Sequence, residues 1–185
     1  VIVDTLVNNL DLSPLYEVFK NPNVVKVFHA ARQDLEIFYL DSGIFPYPLF
    51  DTQIAAMVCG FGDQIAYETL VRQLAKQTLD KSSRFTDWSR RPLTDAQKKY
   101  ALADVTHLRI IYETLSEKLL KTKRLKWVDE ELKILISPKT YDFDPKNAWR
   151  RLKTKSNSRR FLGLAASLAE FREVFAQTKN IPRNR

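Results

Sequence analysis

The segment that most constrains this chain is a long helix predicted to begin at Thr94. Thr94-Asp95-Ala96-Gln97 follows Pro92-Leu93 and has the form of a capping box. In such a box the Thr hydroxyl accepts from the N–H three residues on, while the Gln side chain reaches back to the cap. From there Ala96, Tyr100, Ala103, Leu108, Ile111, Leu115 and Leu119 trace one apolar face for about seven turns. Such a stripe needs a surface to bury against, and the upstream residues supply one. Val24 to His29 (VVKVFH) follows an Asn21-Pro22-Asn23 turn and is rich in β-branched residues, which predicts a buried strand. Val1-Ile2-Val3 reads as another strand. Asp51, after Leu49-Phe50, is placed to cap a helix running to about Cys59. Helices are also predicted over 14–20, around Leu35, Phe38 and Tyr39, and from Tyr67 to Ala75. Strands separated by helices indicate an α/β layered domain.

A length of 185 residues accommodates one large domain, or one domain with a small second module. With 44% hydrophobic and 28% charged residues, neither a disordered chain nor a membrane protein fits. The longest mostly apolar stretch, Ile54 to Phe61, is far short of the roughly 18 residues a spanning helix needs. Residues 1–10 lack the pattern of a signal peptide. Cys59 is the only cysteine, which excludes an intramolecular disulfide and a cysteine-based zinc site and makes a reducing cytoplasm the expected compartment. Thirty Lys and Arg against 22 Asp and Glu leave a formal charge of +8. That excess favours an anionic partner, nucleic acid being the commonest, although charge alone does not separate RNA from DNA, a membrane surface or a solvated basic face.

The composition changes after Lys126. Ser137 to Asn147 carries two prolines and little periodicity and reads as a linker, and residues 148–185 are helical in pattern and strongly basic. Arg150, Arg151, Lys153, Lys155, Arg159 and Arg160 fall within eleven residues that contain no acid.

Asp104 is the main local anomaly, because it flanks the apolar seam, where an unpaired Asp is rarely tolerated. At about 100° per residue, it points within about 40° of Tyr100. It is either a boundary acid hydrogen-bonded to a neighbour or a metal-binding carboxylate beside a phenol. Asp34 follows the strand at Val24 to His29, at the carboxyl end where open α/β sheets place their ligands. An acid in the first turn of a helix is also favoured by the helix dipole alone. Asp51 reads as a structural cap. In Asp34-Leu35-Glu36 the two acids lie about 200° apart on a helix and cannot share one metal. Asp129-Glu130-Glu131 reads as a solvated face, and His29 and His107 read as hydrogen-bonded interior histidines. No Gly-rich phosphate loop, G-x-S-x-G or H-E-x-x-H occurs.

FHAARQDLEIFYLDSG, LFDTQIAA and LDKSSRFTDWSRRPLTDAQKKYALADVTHL, in that order, resemble the ribonuclease D family of 3′–5′ exoribonucleases in the DEDD superfamily. The likeness runs over roughly residues 1–126. Residues 144–185 are similar, more weakly, to the start of a helicase-and-ribonuclease-D C-terminal (HRDC) domain. The resemblance implies a ribonuclease H-like exonuclease fold over 1–128, a linker over 129–143 and a partial HRDC module over 144–185. It matches Asp34 to the Asp of the second exonuclease motif and Asp104 to that of the third. Tyr100 stands four residues before Asp104, as in the tyrosine subclass, and Lys99 stands where the histidine subclass has His.

These roles imply two Mg²⁺ or Mn²⁺ ions about 3.5–4 Å apart, with Asp34 and Asp104 among their hard oxygen ligands. A phenol, ordinarily protonated at neutral pH, would orient the attacking water by hydrogen bonding. Lys81, Arg84, Arg90 and Arg91 are candidates for substrate phosphates, with ordinary solvated charge as the equal alternative. The implied protein is a cytoplasmic monomer with no membrane association that trims RNA 3′ ends to 5′-mononucleotides, transfer RNA precursors being the expected substrate. The rivals are a DNA 3′–5′ exonuclease of the same superfamily and a non-catalytic nucleic-acid-binding module.

One motif departs from the family. Its Asp-x-Glu on the first, central strand supplies two of four metal-binding acids. Here Val1-Ile2-Val3-Asp4-Thr5-Leu6 has Leu6 where Glu is needed, and Asp4 stands only thirty residues before Asp34. The expectation is that the chain begins inside the nuclease domain and stops inside the helical module. On its own it should bind metal poorly and be inactive.

Overall fold

The computed structural model describes residues 1–141, 144–154, 156–179 and 181. Asp142 and Phe143 of the expected linker, and Lys155, Asn180 and residues 182–185 of the expected C-terminal module, lie outside them. The chain divides into two compact units, Val1–Ile136 and Ser137–Arg185.

The first unit starts with α1 (Ser13–Lys20) and is built on a β–α–β core of β1 (Lys26–Phe28), α2 (Arg32–Ser42) and β2 (Leu49–Asp51). The two strands are parallel, with Lys26 opposite Leu49, Val27 opposite Phe50 and Phe28 opposite Asp51. Next come α3 (Thr52–Val58) and α4 (Tyr67–Leu70), which continues as a wider π turn over Val71–Ala75. The unit then ends in α5 (Asp95–Thr106), α6 (Leu108–Thr122) and α7 (Leu125–Leu135). The α6 face, Leu108, Ile111, Leu115 and Leu119, is buried. It packs against α3, where Ala55 and Ala56 are fully buried and allow close approach, and against the turn carrying Val71. Each such leucine or isoleucine stabilises the fold by about 1.5–3 kcal/mol.

Three expectations change. Val1-Ile2-Val3 is exposed and forms no strand, since a strand needs a ladder partner and the sheet has two strands among the described residues. Residues 129–135 belong to α7 rather than to a linker, because Val128 and Leu132, one turn apart, are both buried. The long seam is not one helix: it breaks at His107, between α5 and α6.

In the second unit, short 3₁₀ turns at Pro138–Thr140 and Pro145–Arg151 precede α8 (Arg159–Lys179). Ala148, Ala169 and Ala176 are buried where the second turn meets α8, while Leu164, Leu168 and Phe171 of α8 are exposed. Among the described residues, no helix is long and apolar enough to cross a membrane.

Candidate active site

Asp51 organises the ground on which the site stands. Its buried carboxylate caps α3, accepting from Gln53 N at 2.7 Å and Ile54 N at 3.3 Å. It also accepts from Ala30 N at 3.2 Å and Ala31 N at 2.7 Å. Ala30 has φ 56°, a left-handed conformation that an L-residue with a Cβ seldom adopts. The Asp51 bonds hold that turn and so aim α2. One turn on, α2 presents Asp34 at the carboxyl end of β1.

Asp104 arrives from the other side, on α5. The helix start is the capping box read from the sequence: Thr94 Oγ1 accepts from Gln97 N, and Gln97 Oε1 accepts from Thr94 N at 3.0 Å. Near its other end a side chain enters the ladder. The Tyr67 hydroxyl donates to Ala103 O at 3.2 Å and accepts from the N–H of His107. Those two backbone groups would otherwise bond to each other, and a side chain inserted between them is a recognised cause of a helix break. The break falls at His107, three residues after Asp104.

Asp34 and Asp104 line one cavity of about 450 Å³. Tyr67 and His29 supply its other polar side chains, and Val27, Phe38 and Leu108 are among its apolar walls. Both carboxyls reach solvent at its mouth, yet their surroundings are apolar enough to push both above the usual carboxylate range. Burial is the chief cause for Asp34, with the Asp51 charge second, and burial is the cause for Asp104. The Tyr67 phenol is pushed up to about 12 by burial and, in smaller part, by the Asp104 charge. His29 Nδ1 lies 2.9 Å from Thr52 Oγ1, and burial lowers its pKa below the usual imidazole value.

Tyr100 does not line this cavity. Its ring sits 5.8 Å from that of Trp88, and it lines a second cavity of about 420 Å³ with Ser82, Ser83, Lys99 and His107. The structure therefore brings two of the three expected residues together and places the third on the neighbouring flank of α5. The four candidate phosphate contacts also divide. Lys81 pairs with Glu68, and Arg91 grips Asp4 through two bonds, Nε to Oδ2 at 2.5 Å and Nη2 to Oδ1 at 2.7 Å. Arg84 lies over the Phe85 ring, and Arg90 is exposed. Tyr67 was not singled out from the sequence. Its role depends on tertiary register with Ala103, thirty-six residues away, for which periodicity holds no signal.

Two carboxylates in a half-apolar cavity, with no cationic side chain among the causes of their shifts, suit a hard divalent cation. Among the described residues no group of three or more metal-ligating side chains gathers. Asp34 and Asp104 line the cavity together, and an ion held there would need further oxygen donors.

The chain is similar to known nucleases. Ribonuclease D of Jannaschia sp. (strain CCS1) is 65% identical over 185 residues, all of this chain and 48% of that protein. The chain thus spans about half the length of the curated relatives it matches. The crystal structure of Escherichia coli RNase D, described as an exoribonuclease involved in structured RNA processing, is 33% identical with a TM-score of 0.81. It covers 95% of this chain and 47% of its own. Brucella melitensis NrnC with bound Mg²⁺ is 26% identical with a TM-score of 0.61, covering 78% of this chain and 69% of its own. A family model described as 3′–5′ exonuclease matches residues 1–120. The chain belongs to the 3′–5′ exonuclease family.

Proposed function

We propose that this chain belongs to a metal-dependent 3′–5′ exoribonuclease that shortens RNA from its 3′ end, releasing 5′-mononucleotides, with transfer RNA precursors as substrate. The observation that carries the reading is the shared cavity of Asp34 and Asp104. The likeness to proteins named Ribonuclease D supports RNA over DNA. The Mg²⁺ bound by the NrnC neighbour supports Mg²⁺ or Mn²⁺ as the ion.

In this reading Asp34 and Asp104 would hold a divalent cation, and a second ion would need further oxygen ligands. Such ions would supply Lewis-acid stabilisation of the charge that develops on the reacting phosphate and the leaving 3′-oxygen. Asp51 keeps the Asp34-bearing turn in place, and Tyr67 fixes the helix end beside Asp104. Val27, Phe38 and Leu108 form an apolar wall beside the two carboxyls. Tyr100 lines the neighbouring cavity beside Trp88, and a water-orienting role for its hydroxyl would require the ring to turn toward Asp104. Arg84 and Arg90 are the cations of the loop freest to meet phosphate, because Lys81 and Arg91 already hold carboxylates. The second unit, read as the start of an HRDC module, adds electrostatic grip through Arg150, Arg151 and Lys153.

The test uses the full-length protein with a 5′-labelled RNA and a matched DNA. Stepwise shortening of the RNA from its 3′ end, abolished by Asp104→Asn with RNA binding retained, is the expected result. Preferred degradation of the DNA would shift the reading to a DNA exonuclease. Retained turnover in Asp104→Asn would overturn the assignment of the site. RNA affinity should fall steeply with added salt as phosphate contacts release counterions.

A further inference from the structure

The loop between α4 and α5 carries an aromatic side chain that the fold does not use. Phe85 is 91% exposed, the most exposed of the aromatic side chains among the described residues. A phenylalanine so placed forgoes the burial that usually accounts for its presence. Its surroundings are ordered and basic. Arg84 N bonds Lys81 O at 3.1 Å, and Thr86 bonds Ser83 O through both its N–H and its hydroxyl. Ser83 itself is buried. The Gln97 side chain donates to Thr86 Oγ1 at 3.2 Å and to Asp87 O at 3.0 Å. Gln97 is the third residue of α5 and half of its capping box, so one buried amide ties the Phe85 loop to the helix that bears Tyr100 and Asp104. The Arg84 guanidinium lies 5.2 Å from the Phe85 centroid, over one face of the ring. The other face is open. Residues 81–91 hold four Lys and Arg against one Asp.

We propose that Phe85, backed by Arg84, is a stacking platform for an unpaired base of the RNA substrate. The inference rests on the exoribonuclease reading and adds to it a substrate contact beyond the reacting phosphate. Every base has a π face, so an aromatic ring binds single strands without reading their sequence, and a nearby guanidinium adds attraction to the phosphate and to the ring. A protein partner would also welcome an exposed phenylalanine, but the charge of the loop matches a polyanion. The Gln97 brace holds the loop backbone next to Phe85 before binding, which lowers the entropic cost of capture.

The test measures binding of a fluorescent single-stranded oligoribonucleotide to the full-length protein, with a chelator present to prevent metal-dependent turnover. Phe85→Ala and Phe85→Leu should each weaken binding about tenfold, while Phe85→Trp retains wild-type affinity or exceeds it. An abasic strand of the same length should bind all four proteins alike. Unchanged affinity in Phe85→Ala, or rescue by Leu equal to that by Trp, would overturn the proposal. If the order of affinities holds but wild type removes no nucleotides, the exonuclease reading fails and the stacking contact stands. If wild type degrades RNA and Phe85→Ala binds as tightly as wild type, the contact alone fails.

Discussion

The hydroxyl of Tyr67 is bound between Ala103 and His107, donating to the carbonyl of one at 3.2 Å and accepting from the N–H of the other. It replaces a rung of the helix ladder and separates α5 from α6 just beyond Asp104. Tyr67→Phe should therefore cost about 1 kcal/mol, since the ring still fills its place but the two bonds are lost. Chemical denaturation checks this. The phenol is raised from its usual 10 to about 12. Its neutral form thus adds stability that is complete below pH 10 and is lost as pH rises through about 12. In an alkaline near-ultraviolet titration, the tyrosinate missing from Tyr67→Phe should be the last to appear in wild type. Loss of an early-titrating phenol instead would contradict the buried placement.

Asp51 and Asp34 should behave oppositely when removed. Asp51 accepts from four backbone N–H groups. Asp51→Ala strands those donors and should cost about 3 kcal/mol or more. Asp34 is an acid whose ionised form is disfavoured by burial and by the Asp51 charge. Asp34→Asn should leave stability unchanged or raise it by about 0.5 kcal/mol, a figure kept small because the carboxyl reaches water. Denaturant midpoints of the two variants provide the comparison. A large loss in Asp34→Asn would identify that acid as structural.

His29 gives a pH dependence on the acid side. Burial lowers its pKa, with the Asp51 charge and the Ile65 carbonyl opposing. The neutral ring therefore contributes stability that is fully present above the ordinary value near 6.5 and is lost as pH falls through the lower folded value. Between about pH 7.5 and about pH 5, the melting temperature of wild type should fall more than that of His29→Gln. A constant difference between the two across that window would contradict the assignment.

The sequence revealed features that act over a few residues. The Thr94–Gln97 box and the Asp51 cap are local hydrogen-bond patterns, and both stand in the structure as read. The β-branched run around Val27 likewise lies on a strand, although that strand is shorter than its apolar stretch. The features that were not legible depend on partners distant in sequence. The seam from Ala96 to Leu119 has continuous helical spacing, yet Tyr67 interrupts it from another helix. Helical angle alone put Tyr100 near Asp104, but Trp88 draws the phenol to the other flank. Arg91 counted as a free cation until its geometry with Asp4 was known. The place of Asp34 just past the carboxyl end of a parallel strand was legible because that signal is itself local.

In the proposed reading Asp34 and Asp104 hold the same divalent cation. Manganese titration of the full-length protein, read by electron paramagnetic resonance, tests it most directly. Asp34→Asn and Asp104→Asn should each weaken the site by about tenfold or more, and the double variant should lose little beyond either alone. Wild-type manganese affinity in either single variant, or losses that simply add in the double variant, would contradict a shared ion.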